Sequence, residues 1–451
     1  MFFKRKVYDK LKEWKDKYNG KYAALIEGPR RVGKSTVAEE FAKREYRSYI
    51  KIDFSNIDDE TLSIFGDISN PDMFFLRLSA KKETELYRRE SVIIFDEIQL
   101  QPKVRQAIKH LVADGRYDYI ETGSLLSIRK NVQNIVIPSE EHKIRMYPMD
   151  WEEFLWATKG ENSCYSTLRS FYENRLPLGQ AVNRAKMKDY RLFMAVGGMP
   201  QAVEAYIEKS SFMEIDRVKR KIIELYEEDF FKIDPSGRIS KIFESIPSQL
   251  ARGGMNFSLS EATGKTDSIK DRKLFYDLIT SCTVLPCWNC TDPSFTLSQG
   301  VDLFRFKLYT ADNGLLVTLL LKTGAAVFSE LYTKMLSDTL PANLGYLYEN
   351  AAAVTIASSG KDLYYTTWKK DNSTHKFKLD FLIAKGTKIM PVECKSSKTT
   401  NHASLDEFMR KYPSRVISPA VFSQKDYSKD GHISLYPYCL MPFVIGEEDR
   451  E

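Results

Sequence analysis

The run Gly28-Pro29-Arg30-Arg31-Val32-Gly33-Lys34-Ser35 places two glycines, a lysine and a hydroxyl at the spacing of a phosphate-cradling loop. Glycine lets such a loop bend so that several backbone N–H groups face one anion, and the N-terminus of a following helix adds its positive dipole end. On this pattern Lys34 reaches the outer phosphates and the Ser35 hydroxyl ligates Mg²⁺, with Thr36 closing the cradle over 28–36. The chemistry then needs a carboxylate on a neighbouring strand end. Asp96-Glu97 supplies two: Asp96 for the Mg²⁺ side, and Glu97 to orient or deprotonate an attacking water. Thr122 and Ser124 offer hydroxyls that could sense a γ-phosphate or position that water. Arg145 and Arg129 are the candidates for neutralising charge that develops on the phosphate. ATP with Mg²⁺ is therefore the expected ligand. Binding without turnover stays open as the alternative, and Glu97 weighs against it.

These residues must be carried by elements that end together. Tyr22 to Glu27, Tyr49 to Phe54, Ser91 to Asp96 and Tyr117 to Glu121 read as short apolar strands. Helical stretches at about 33–45 and 101–113 separate them, which predicts a parallel sheet with right-handed crossovers. Before them, Phe3, Val7, Leu11 and Trp14 fall at helical spacing up to Asn19-Gly20. Helices dominate from Asp150 to Glu228, broken at Gly197-Gly198-Met199-Pro200. Three short helices follow over 239–285, with a turn expected at Pro286. The third, about 268–281, carries Lys270, Arg272 and Lys273, a solvated face or a DNA contact.

A second constellation lies near the C-terminal end. Strands are predicted over 362–368, 379–384 and 388–395. Gly386-Thr387 suits a two-residue hairpin turn that pairs Lys385 with Lys388, and counting back pairs Asp380 with Glu393. Two adjacent carboxylates repel unless a cation lies between them, so a divalent metal fits there. Lys395 shares the face of Glu393, and Glu349, on a helix over 346–356, could complete the set. A polar hairpin edge with incidental charges, among them Lys376 and Lys378, is the competing reading. Glu141-x-Lys143 has the same spacing as Glu393-x-Lys395 but reads as helix surface or loop.

Composition narrows the classes. An apolar fraction of 43% and a charged fraction of 28% describe an ordinary globular chain, which excludes wholesale disorder. At 451 residues the chain has room for two to four domains, and its net charge of +6 permits nucleic-acid contact without arguing for it. No apolar run is long enough to span a membrane, and a reducing cytoplasm is the default compartment. Cys287-x-x-Cys290, near Cys282, has zinc-like spacing but no second pair, and the histidines, His375 and His402 included, are scattered.

Residues 28–35, 92–97 and 120–124 resemble the AAA-like ATPases among the P-loop proteins. Tyr147-Pro148-Met149-Asp150-Trp151-Glu152-Glu153-Phe154-Leu155 and Gly197-Gly198-Met199-Pro200-Gln201-Ala202-Val203 are similar to segments of one prokaryotic family. That family joins an AAA-type domain to a C-terminal domain of unknown function numbered 4143, and the resemblance covers nearly the whole chain. It implies an α/β architecture in four parts: an ATPase domain at 1–150, a helical lid at 151–235, a winged-helix-like segment at 236–300, and a restriction-endonuclease-like domain at 301–451. On the nuclease pattern Glu349 matches the helix acid, Asp380 the first strand acid, and Glu393 with Lys395 the E-x-K pair, while Leu379 stands where proline is expected. The expected function is an Mg²⁺-dependent ATPase coupling nucleotide state to a nuclease-like domain acting on or near DNA, with a protein partner or second copy as further contacts. A nucleotide-controlled signalling or scaffold protein with an inactive C-terminal domain is the alternative. A third is a metal-dependent nuclease regulated by ATP.

Overall fold

Strand runs that are apolar throughout need cover on both faces, and the first half of the chain provides it. The structure, a computed structural model, describes residues 2–18, 20–123, 138–161, 165–253, 256–264, 269–321, 325–337, 344–370, 376–396 and 402–446. It divides into two units, one of Met1–Tyr147 with Thr280–Cys282, the other of Pro148–Ile279 with Thr283–Glu451.

In the first unit, β1 (Ala23–Glu27), β2 (Ser48–Asp53), β3 (Ser91–Asp96), β4 (Asp118–Gly123) and β5 (Glu141–Arg145) form a parallel sheet of order β2-β3-β4-β1-β5. All of β1, β3 and β4 is buried. Helix Lys34–Glu45 connects β1 to β2, and Pro102–Asp114 connects β3 to β4. Helices Asp59–Ile64 and Pro71–Lys81 carry no motif and were not anticipated. The N-terminal helix Lys6–Tyr18 buries Val7, Leu11 and Trp14, as its periodicity predicts. It packs beside β5 and helix Lys34–Glu45, and each such apolar side chain contributes about 1.5–3 kcal/mol when fully buried.

One expectation is overturned here. Glu141 and Lys143 lie in β5, paired to β1 at Ala23 and Leu25, and not on a helix surface or loop. Only Ile144 of β5 is buried, so this edge strand lacks the apolar run that betrays its neighbours. Its Glu141 instead makes a buried two-pronged ion pair with Arg105, 2.7 Å at each oxygen.

The second unit is built on an eight-stranded mixed sheet. Its strands are β6 (Val284–Cys290), β7 (Val301–Thr310), β8 (Tyr364–Lys369), β9 (Lys376–Lys385), β10 (Lys388–Cys394), β11 (Ala420–Ser423), β12 (Ser428–Asp430) and β13 (Ile433–Pro437). Their order is β12-β13-β11-β10-β9-β8-β6-β7. The helix Tyr346–Ser358 is buried at nearly every position, the mark of an element covered on all sides. The expected turn at Pro286 is absent: Pro286 lies inside β6, opposite Leu308 of β7. β8 pairs with β6 only at Trp288 and Asn289, so Pro286 faces no ladder on that side that would need its missing N–H. The helices Arg238–Ala251, Leu259–Thr263 and Ile269–Thr280 occupy the predicted stretch. The hairpin register holds from Lys385 opposite Lys388 to Phe381 opposite Val392.

Candidate nucleotide site and a C-terminal charge cluster

Parallel strands deliver their C-terminal ends to one edge, and the phosphate-type loop starts where β1 ends. A Cβ at Gly28 would lie 2.2 Å from the Met146 carbonyl oxygen, so only glycine allows the loop to leave the strand there. Gly33 has φ 96° and hands the chain into helix Lys34–Glu45 with the left-handed backbone that glycine accepts without strain. Arg31 adopts φ 70°. Lys34 is buried, and its ammonium donates to the carbonyls of Gly28 at 3.0 Å and Pro29 at 2.9 Å. Burial pulls its pKa below lysine's ordinary value, against the opposite pull of Glu97 and Asp96. Thr36 is exposed on the first helical turn.

Four predicted residues converge at the end of this loop. The Ser35 hydroxyl donates to Asp96 Oδ1 at 2.7 Å, and the Thr122 hydroxyl donates to the same oxygen. The Glu97 amide donates to Thr122 Oγ1 at 3.3 Å. Thr122 thus joins Asp96 to the Glu97 amide. A hydroxyl and a carboxylate side by side are hard oxygen donors of the kind Mg²⁺ takes. Glu97 sits at φ 56°, a conformation that costs a non-glycine residue energy. Its carboxylate accepts from Gln99 Nε2. Arg145 is placed at the end of β5, 3.8 Å from Glu27 Oε1 and half exposed. Ser124 and Arg129 lie outside the described residues.

Sequence reasoning missed three residues at this site. Lys51 on β2 stands 3.4 Å from Asp96 Oδ2 and 3.1 Å from Glu39 Oε2. Gln99 holds Glu97. Arg5, buried, donates to the Val32 carbonyl in the loop at 2.7 Å and to the Tyr147 carbonyl at 2.6 Å. No motif flags Arg5, whose loop partner is 27 residues away.

In the second unit the E-x-K strand is where the spacing put it, but the acids have protein cations beside them. Glu349 Oε1 accepts from Lys307 Nζ at 2.7 Å and from the Tyr309 hydroxyl at 2.5 Å, and Lys378 Nζ lies 3.5 Å from its other oxygen. Lys378 also reaches Asp380 Oδ1 at 3.0 Å, and the Cys394 amide donates to Asp380 Oδ2 at 2.9 Å. Burial alone would raise the Glu349 carboxyl; Lys307 and Lys378 outweigh it and hold the group well below the carboxylate range. Glu393 is bonded to Lys395 through one oxygen, while its other oxygen is buried with no hydrogen-bond partner. Its pKa is pushed up, chiefly by burial and further by Asp380, against the pull of Lys395. Among the described residues no group of three His, Cys, Asp or Glu side chains is disposed to hold a metal ion. His375 lies outside them. Cys287 and Cys290 are buried on β6, on either side of a register shift between Trp288 and Asn289.

The Gly197-Gly198 break is a packing joint. A Cβ on Gly197 would meet Asp312 Oδ1 at 2.4 Å, and one on Gly198 would meet the Met149 carbonyl at 2.1 Å. The Gly198 amide donates to Asp312 Oδ2 at 2.6 Å, locking the joint to the start of helix Asn313–Leu320.

Comparison with known proteins agrees with the first unit's geometry. Residues 20–155 match the model of an AAA domain, and the parallel sheet with its helices fits a P-loop NTPase-like α/β domain. Residues 344–440 match a domain of unknown function, DUF4143, and residues 187–326 match another, DUF8612. No curated protein sequence matches. Among solved structures, Cdc6p from Pyrobaculum aerophilum is 12% identical over 73% of this chain and 94% of its own, with a TM-score of 0.23. Protein VC1899 from Vibrio cholerae is 10% identical over 88% of this chain and 95% of its own, with a TM-score of 0.18. At such scores neither likeness bears on function. Among the described residues no helix is long and apolar enough to cross a membrane.

Proposed function

We propose that this protein is an Mg²⁺-dependent ATPase whose nucleotide state controls a C-terminal domain that recognises a partner without cutting it. The observation that carries the first half is the meeting of Ser35 and Thr122 hydroxyls on Asp96 beside Lys34 and Glu97. Residues 28–36 would cradle the phosphates, Ser35 and Asp96 would hold Mg²⁺, which would neutralise phosphate charge when bound, and Glu97 would activate water. Arg145, at the end of β5, would offset transition-state charge. The second half is supported by Lys307 and Lys378, which neutralise Glu349 and Asp380 where a metal-dependent nuclease would need those oxygens for its ion. The test is Mg²⁺-dependent phosphate release by the whole chain and by Lys34→Ala, with nucleotide binding followed by calorimetry. Wild-type protein that takes up no ATP, or Lys34→Ala that keeps wild-type affinity, defeats the reading.

The nuclease reading keeps one specific support, the buried unpartnered oxygen of Glu393 beside Asp380. Here Glu349, Asp380 and Glu393 would have to give up their lysines for a metal, with Lys395 positioning water. Metal-dependent cleavage of single-stranded, duplex or branched DNA, lost in Glu393→Ala with ATPase retained, would establish it. Absence of cleavage in the wild type removes it.

A further inference from the structure

The second unit contains a groove of about 980 Å³ where β10, β11 and β13 begin. Apolar side chains line part of its floor: Met390, buried, with Met409, Val416 and Ile417, the last 44% exposed. The floor exists because the segment before β11 runs alongside β10: the Ile417 amide donates to the Ile389 carbonyl at 2.9 Å, and the Ile389 amide donates to the Arg415 carbonyl at 2.8 Å. Unbranched methionines at such a surface adapt to varied apolar side chains. The rim is cationic. Arg175, Lys385, Arg410 and Lys429 line it, against one carboxylate, Glu173. Arg410 is paired with Glu407, but Arg175 and Lys429 are exposed and make no ion pair among the described residues.

We infer that this groove binds an acidic peptide segment of another protein, with an apolar side chain seated on the methionine floor and flanking Asp or Glu residues on the rim. Charge complementarity selects an anionic occupant. A nucleic acid would be anionic too, but sequence-tolerant strand binding uses free aromatic faces as stacking platforms. The two tyrosines of the groove are already stacked within the protein, Tyr172 against Phe443 at 6.1 Å and Tyr436 against Phe422 at 5.9 Å. The inference rests on the reading of the C-terminal part as a recognition domain and is tested without nucleotide, so its failure is distinguishable from failure of the ATPase reading.

A random peptide library displayed on phage is panned against the full-length chain, and an enriched peptide is labelled for anisotropy titration. The expected result is enrichment of Asp and Glu around an aliphatic or aromatic residue. Affinity should weaken with salt and drop about tenfold or more in Arg175→Glu/Lys429→Glu, a charge reversal at the rim. Should that variant fold poorly, Ile417→Asp on the floor must give the same loss. No acidic enrichment, wild-type affinity retained in both variants, or displacement of the peptide by a single-stranded oligonucleotide overturns the proposal.

Discussion

Replacing Arg5 with methionine should weaken nucleotide binding without touching any residue of the phosphate motif. The Arg5 guanidinium is 5% exposed and donates to Val32 O at 2.7 Å and Tyr147 O at 2.6 Å, anchoring the loop to the segment that follows β5. Hydrogen bonds involving a charged group contribute about 1.5–3 kcal/mol each, and a buried carbonyl left without its donor bears the full cost. The Tyr147 bond holds the arginine, whereas the Val32 bond holds the cradle. Only the second therefore enters nucleotide affinity, and about 1.5–3 kcal/mol corresponds to roughly ten- to hundredfold in Kd. Arg5→Met should raise the Kd of a fluorescent ATP analogue about tenfold or more, and Arg5→Lys, which keeps the charge but not the fork, should fall between. The assay is a titration at fixed Mg²⁺, with circular dichroism confirming that the variants stay folded. A folded Arg5→Met protein with wild-type Kd would show that the loop holds its shape without the clamp.

Thr122→Val removes the hydroxyl that joins Asp96 to the Glu97 amide, so steady-state phosphate release should fall about tenfold or more while calorimetric ATP affinity changes less. Equal losses in both would point to a simple folding defect. Lys307→Met strips a buried acid of its closest cation and should lower stability by about 3 kcal/mol in urea titration. The double variant Lys307→Met/Glu349→Gln should recover most of that loss, and no recovery would contradict the charge pairing. His402 bridges Asp406 at 2.8 Å and Asp430 at 3.2 Å. Burial works against its charged form, but these two carboxylates prevail and raise its pKa above the ordinary 6.5. Its contribution is thus fully present below 6.5 and is lost as pH rises through the raised folded value. The urea midpoint should decline over that window in the wild type and stay flatter in His402→Asn. Parallel profiles would refute the assignment.

The phosphate loop was legible because its chemistry is contiguous: glycine, lysine and hydroxyl need only the local turn and the helix behind it. Asp96-Glu97 was legible for a related reason, since a strand buried on both faces announces itself as Ser91 to Asp96 does, and its C-terminal end is where ligands meet a parallel sheet. The β9–β10 register followed from counting out of a two-residue turn. The interpretation of Asp380 and Glu349 did not follow, because it depends on which cations arrive from elsewhere. Lys307 comes from edge strand β7 and meets Glu349 across 42 residues of chain. Lys378 was visible, but only as an incidental charge in the competing reading. β5 escaped notice because an edge strand needs no apolar run, and Arg5 because its loop partner is chosen by how the N-terminal segment packs. By itself the order of residues determined the cradle, its acidic couplet and the hairpin. Only the tertiary structure decided what clamps the cradle and which charges neutralise the C-terminal acids, since both are set by pairings between distant segments that no local pattern encodes.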